Sequence, residues 1–326
     1  MKQLIQDFGA QLDSGIEIGK NFNYTPPRQI KNVILSGIGG SGFGGEVIKR
    51  VFESELTVPF VINRTYTIPA FAGPETLVII SSYSGNTEET LEAFEHYLTK
   101  GCMVVAITSG GKVKEISEKH GFPVQLLPGG FPPRAAAGFS IVQQLFILRH
   151  LNLIQDFTPA LEETISIIKH FSEHADAEML AQKMKNRLPV IYCSEVLEPA
   201  AIRLKQQINE NSKQLCYNSI VPEMNHNEIV GWEYPDSVLS NILVLFLHSS
   251  FDHSRVETRF GITAQVAQGK AGEVAHITAK GSSLLAQNFY LIHFFDWVSL
   301  YLAELNSVDP MPVKIIDFLK SELGKI

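Results

Sequence analysis

Two loops rich in glycine and hydroxyl groups stand where they could hold an anion. The first, Gly37-Ile38-Gly39-Gly40-Ser41-Gly42, follows the apolar run Val33–Ser36 and leads into a helical segment. Backbone amides at a helix start lack intrahelical partners and bind anions, and glycines let the anion come close to the chain. The second, Ser82-Tyr83-Ser84-Gly85-Asn86-Thr87, follows the apolar run Leu77–Ser81 and offers hydroxyl donors and free amides to a small dianion such as a phosphomonoester. Alone it also reads as a polar turn with Thr87 as a helix cap. Together the two loops occupy successive strand ends on the carboxyl edge of one sheet, the edge where α/β folds bind ligands. Gly37, Gly39 and Gly42 also satisfy the dinucleotide pattern G-x-G-x-x-G. The next strand ends in Ile62-Asn63-Arg64, without the acid that a ribose hydroxyl needs, so of the nicotinamide cofactors only an NADP variant using Arg64 stays open.

Groups for proton transfer lie further along. Glu210, in Lys205-Gln206-Gln207-Ile208-Asn209-Glu210-Asn211-Ser212-Lys213, reads by composition as a solvated helix-end carboxylate. Its neighbours Asn209 and Asn211 are poor helix formers, so the segment is not tuned for helical stability. His226, between Asn225 and Asn227, sits in a polar loop or helix start and not on an apolar face.

The elements that must position these residues alternate. Leu4, Ile5, Phe8, Leu12 and Ile16 have helical spacing, and Pro26 and Pro27 end that leading segment. Strand-like runs at Val33–Ser36, Phe60–Ile62, Leu77–Ser81 and Met103–Thr108 are separated by helical stretches near 41–53, 86–100 and 112–120. A helix over Gly138–Leu151 follows, then helices near 158–174 and 176–187 and further strands at Val190–Cys193, Ile242–His248 and Val274–Thr278. The pair of runs at 77–82 and 104–108 parallels the pair at 243–248 and 274–278, which predicts duplication of one α/β unit. A long apolar helix over 284–305 and a tail helix near 313–323 complete the chain. The expectation is α/β: two doubly wound, flavodoxin-like parallel sheets in three layers, with helical extensions at both ends. The boundaries are an N-terminal helix and linker over 1–28, a phosphate-binding domain over 29–155, a second domain over 156–306 and a tail over 307–326.

G-I-G-G-S-G at 37–42 with S-x-S-G-N-T-x-E at 82–89 resembles the sugar isomerase (SIS) domain. That resemblance implies Gly40, Ser41, Ser82, Ser84 and Thr87 as the phosphate site. Four further stretches extend it: P-P-R-A at 132–135, K-Q-x-x-N-E-N-x-K at 205–213, P-E-M-N-H-N-E at 222–228, and D-P-x-P-V-x-x-I-x-x-L-K at 309–320. With these, almost the whole chain is similar to the bifunctional phosphoglucose/phosphomannose isomerases. The family reading implies Glu210 as the base between C1 and C2, Arg134 on the enediolate, His226 for ring opening and Lys320 in the tail. It implies hexose 6-phosphate substrates, no metal and no cofactor, and a homodimer in which His226 reaches the partner's site. Val313 stands where the family's mannose 6-phosphate activity is associated with a hydroxyl-bearing residue, which counts against that activity. A non-catalytic sugar-phosphate sensor is the alternative, and loop 249–256, lacking the Gly-Asn-Thr of the first hydroxyl loop, is expected to bind no second phosphate.

Composition narrows the partners. The 326 residues carry 27 Lys+Arg against 34 Asp+Glu, a net charge of -7 with no basic run, which disfavours nucleic acid and anionic membranes. Residues 1–10 lack the apolar centre of a signal peptide, and the apolar window 284–303 is interrupted by Gln287, Asn288, His293 and Asp296, so a cytoplasmic protein without a membrane span is expected. Cys102, Cys193 and Cys216 are odd in number and widely spaced, as in a reducing compartment, and have no metal-ligand spacing.

Overall fold

The computed structural model describes residues 1–325. The chain forms two compact units, one of Asp7–Lys169 and one of Met1–Gln6 with the residues from His170 on. The short helix α1 (Lys2–Gln6) thus belongs to the second unit, and the division falls later than residue 155. The reason is local: α7 (Thr158–Lys169) packs against α2 (Phe8–Gly19), so this stretch stays with the first unit.

The first unit is a five-stranded parallel sheet in the order β2-β1-β3-β4-β5. Its strands are β1 (Asn32–Ser36), β2 (Phe60–Asn63), β3 (Thr76–Ser81), β4 (Met103–Thr108) and β5 (Val124–Leu126). Every residue of β3 and β4 is buried, as a parallel strand covered on both faces requires, and this is why their sequences are unbroken apolar runs. Alternate side chains divide between the faces. Ile34, Val78, Ile80, Val104 and Ala106 pack with α4 (Glu88–Thr99) and α5 (Gly111–Lys119). Leu35, pointing the other way, meets α3 (Gly40–Val51), where a Cβ on Gly45 would lie 2.6 Å from its side chain. Helix α6 (Ala137–His150) packs on α3 and α2.

The second unit repeats the arrangement with four parallel strands in the order β7-β6-β8-β9. These are β6 (Leu188–Cys193), β7 (Tyr217–Ile220), β8 (Ile242–His248) and β9 (Glu273–Thr278). Matching β6 to β1, β7 to β2, β8 to β3 and β9 to β4 superposes the two orders, and only the first sheet has a fifth strand. One face, with Tyr192, Val244 and Phe246, packs on α11 (Ser254–Gln268) and on Leu239 of α10 (Asp236–Leu239). Helices α8 (His174–Met184) and α9 (Glu198–Asn211) pack against the long helix α12 (Leu284–Leu305), and α13 (Lys314–Leu323) is the tail helix. No helix among the described residues is long and apolar enough to cross a membrane.

Helix α12 is buried almost all round and carries His293, 3% exposed, whose Nε2 accepts from Trp297 Nε1 at 3.2 Å. Burial, with a smaller effect from His174, holds its pKa down at about 4. Between pH 6.5 and 4 the unfolded chain therefore takes up a proton that the folded chain refuses, and stability falls as pH falls. Urea unfolding should show a loss approaching about 3 kcal/mol across that window from this residue, and His293→Gln should shrink it. A pH profile unchanged in the variant would contradict the assignment.

Candidate functional site

The β1–α3 and β3–α4 loops meet at the carboxyl edge of the first sheet, and their glycines make the meeting possible. A Cβ on Gly42 would stand 2.1 Å from the carbonyl oxygen of Gly37, and one on Gly37 would stand 2.5 Å from that of Ser81. Gly39 at φ +59 and Gly85 at φ +69 adopt left-handed conformations that other residues rarely take.

The hydroxyls expected to bind phosphate are held by one another and by the backbone. Buried Ser41 accepts from Tyr83 N at 3.0 Å, which links the two loops directly. The hydroxyls of Ser82 and Thr87 lie 3.0 Å apart, and exposed Ser84 accepts from Asn86 N at 3.3 Å. Thr87 precedes α4 with an extended backbone, but its side chain does not cap the helix. Gly40 faces the third loop: its Cβ would come 3.0 Å from Pro133 O and 3.5 Å from the Cα of Arg134. Arg134, in the 3-10 turn Pro133–Ala136, is 5% exposed. The loops that carry Gly40, Ser41, Ser82, Ser84 and Thr87 and the turn that carries Arg134 thus meet within the first unit.

Two positioning residues escaped the sequence reading. Tyr83 donates its hydroxyl to Pro128 O at 2.8 Å and accepts from Phe131 N at 3.0 Å, tying the hydroxyl loop to the segment that leads to Arg134. Gln144 of α6, fully buried, donates to Ser41 O at 3.1 Å and Ser81 Oγ at 3.4 Å, spanning both loops. Tyr83 lies inside the hydroxyl motif, and Gln143-Gln144 is a polar pair inside an apolar helix; those were the available signals. Arg64, the cation an NADP site would need, hydrogen-bonds Glu46 of α3 instead.

Glu210, His226 and Lys320 sit on three separate elements of the second unit. Glu210 lies in the last turn of α9 and is half-buried, not the solvated carboxylate its composition suggests. A polar seam at i, i+4 spacing sets the register of α9 on α12. Arg203 lies 3.6 Å from Asp296, Gln207 donates to the same carboxylate at 2.7 Å, and Asn211 donates to Ser299 Oγ at 3.0 Å. Asn211, unfavourable for helix propensity, is there to make that bond. Lys213, at φ +57, donates to Glu210 O and to Pro312 O at 2.8 Å, joining the end of α9 to the segment before the tail.

His226 is exposed in the 3-10 turn Glu223–His226. Its loop is anchored by Glu228, which accepts from Tyr192 Oη at 2.7 Å and from Ser219 Oγ, while Trp232 Nε1 donates to the same tyrosine at 3.0 Å. Burial and the neighbouring Glu228 carboxylate push the Tyr192 hydroxyl pKa well up, so it remains a donor. Lys320 is exposed on α13, and Val313 is the half-buried residue that precedes this helix.

Comparison with known proteins agrees with this division. Residues 28–120 match the SIS domain model, and residues 173–323 match the bacterial phospho-glucose isomerase C-terminal SIS domain. The chain is 40% identical to the bifunctional phosphoglucose/phosphomannose isomerase of Caldicellulosiruptor bescii, covering 100% of this chain and 99% of that protein. The protein of the same name from Aquifex aeolicus is 36% identical over 90% of this chain and 91% of its own. Among solved structures, the C-terminal domain of glucosamine-fructose-6-phosphate aminotransferase from Francisella tularensis aligns with a TM-score of 0.75 at 12% identity, over 95% of this chain and 96% of that one, a likeness of fold.

The loop geometry has a direct consequence. In Gly85→Ala the new Cβ would lie 1.8 Å from Gly110 O at φ +69, so the loop must move. Urea unfolding should show a loss of about 2 to 4 kcal/mol, and titration should show weakened binding of inorganic phosphate. Wild-type values for both would remove the close-approach argument.

Proposed function

The chain belongs to the family of bifunctional phosphoglucose/phosphomannose isomerases, and from that premise we propose that it interconverts glucose 6-phosphate and fructose 6-phosphate through a cis-enediolate. The observation that carries the reading is the meeting of the two loops at the edge of the first sheet, joined by the Tyr83–Ser41 bond and holding the Ser82 and Thr87 hydroxyls 3.0 Å apart, with the turn that carries Arg134 against Gly40. Hydroxyls and helix-start amides suit a phosphomonoester, and a guanidinium is a permanently charged fork for two adjacent oxygens.

The reaction moves two protons, one from C2 to C1 and one from the C2 hydroxyl to the C1 oxygen, and changes no net oxidation state. In the proposed mechanism the Glu210 carboxylate takes the proton from C2 of the open-chain aldose and returns it to C1, giving the ketose. The electron pair of the broken C2–H bond becomes the C1=C2 double bond of the enediolate, and Arg134 stabilises the negative charge that develops on oxygen. His226 exchanges the proton between the ring oxygen and the anomeric hydroxyl, a step an imidazole performs near neutral pH. Its exposure on an anchored loop supports the further reading that it serves the site of a second copy in a homodimer. Lys320, on the exposed tail helix, is assigned to the substrate as a positive charge. Mannose 6-phosphate is in the relatives' name as a second substrate, but Val313 lacks the hydroxyl associated with it, so glucose 6-phosphate is assigned as the principal aldose.

Paired variants test the roles and the exchange together. Glu210→Gln and His226→Asn should each lose on the order of 10²–10⁴ in kcat while still binding fructose 6-phosphate. Mixed after dissociation and reassembly, they should regain up to about a quarter of wild-type activity, because half the dimers then hold one intact site. Full activity in Glu210→Gln would remove the base; no recovery on mixing would put His226 in its own chain's site.

A further inference from the structure

The loops at the carboxyl edge of the second sheet correspond by strand order to the two loops of the first unit, and they surround a carboxylate of the chain itself. Ser194 directly follows β6 and is 2% exposed; Ser249 directly follows β8 and is 7% exposed. Between them lies the carboxylate of Asp252. Its Oδ1 accepts from Ser194 Oγ, and its Oδ2 accepts from Ser249 N at 2.7 Å. The rest of the loop is tied down around it. Ser249 Oγ donates to Gln287 Oε1 at 2.6 Å and accepts from Phe251 N at 3.0 Å, while Gln287 Nε2 donates to Ser250 Oγ at 2.7 Å.

This is the first unit's construction with an occupant supplied by the chain. In the first unit a serine after β1 touches the loop after β3; in the second a serine after β6 touches the loop after β8. Asp252 is not a helix cap: His253 fills that position for α11, accepting from Arg255 N at 3.1 Å. Nor is it neutralised by a cation, since the groups shown to contact it are a hydroxyl, a backbone amide and the acid Glu257, and burial together with Glu257 raises its pKa. Two uncharged donors converging on one carboxylate make an anion site of the kind backbone amides and hydroxyls form elsewhere.

We propose that the Ser194–Ser249 edge of the second sheet is an anion cradle permanently filled by the Asp252 carboxylate, and that it takes up a small carboxylate such as formate from solution once that side chain is removed. The inference is independent of the isomerase reading. It also gives a physical reason for the expectation that loop 249–256 binds no second phosphate: the position is already occupied by a tethered anion, whose effective concentration no free ligand matches.

Thermal unfolding of Asp252→Ala at mildly alkaline pH, titrated with formate against chloride at constant ionic strength, tests it. Formate should raise the midpoint of the variant in a saturable way, as ligand linkage requires, recovering about half of what the substitution lost. Chloride should not, wild type should not respond, and Ser194→Ala in the same variant should abolish the effect. Should Asp252→Ala fold poorly, Asp252→Asn supplies the second reading. Its amide fills the cradle without charge, the oxygen accepting from Ser249 N–H and the nitrogen donating to Ser194 Oγ, so this isosteric variant should fold and show no formate response. A formate response in Asp252→Ala equal to that of wild type or to chloride, its persistence without the Ser194 hydroxyl, or a formate response in Asp252→Asn would overturn the proposal.

Discussion

Gly42 and Gly37 approach so closely that neither has room for a side chain, and the rest of the first unit's site depends on that approach. With 2.1 Å between a hypothetical Cβ and the Gly37 carbonyl, the chain leaving β1 folds tightly into α3. Ser41 is thereby brought under the loop after β3 to receive Tyr83 N, and Gly40 is brought against the turn that carries Arg134. Tyr83 and Gln144 then lock the three segments together with hydrogen bonds that are largely buried. A buried bond of this kind contributes about 1 kcal/mol, but an orphaned partner costs more, so each bond resists loosening of the others.

The two units apply one supersecondary plan to loops of different composition. Both sheets are parallel with the same strand order, and both place serines at the ends of matching strands. In the first, glycines let the loops approach closely, and phosphate binding is proposed there. In the second, Asp252 accepts from Ser194 and Ser249 at the matching strand ends, and the residues proposed for catalysis lie elsewhere, on the end of α9 and on the anchored loop of His226. The negative net charge raises no conflict with a phosphorylated substrate: one phosphomonoester held by hydroxyls and amides needs no basic surface.

The parts of this that the residues alone disclose have a common physical character. Buried parallel strands must be apolar throughout, so β3, β4 and β8 are visible as unbroken runs. Strands β5 and β7 are not, because three residues containing Gln125, or four containing Asn218 and Ser219, carry too little pattern. The hydroxyl loop is legible because several unusual residue types crowd one turn. Glu210 is not, since one carboxylate among 34 acidic residues has no local mark; only resemblance singles it out, and its partial burial emerges from the packing of α9. Gln144 acts across a long sequence separation, and Asp252 pairs with a serine on a different strand, so neither role has a signature within its own segment.

The central claim is that the hydroxyl cradle presents a hexose phosphate for isomerisation and does not merely bind it. The direct measurement is incubation of the protein with fructose 6-phosphate in deuterated water, with the glucose and mannose products resolved. Formation of glucose 6-phosphate carrying deuterium at C2, with mannose 6-phosphate minor or absent, is the expected result. Saturable binding of fructose 6-phosphate with neither epimer formed and no exchange at C1 would contradict it and leave a sugar-phosphate-binding protein in its place.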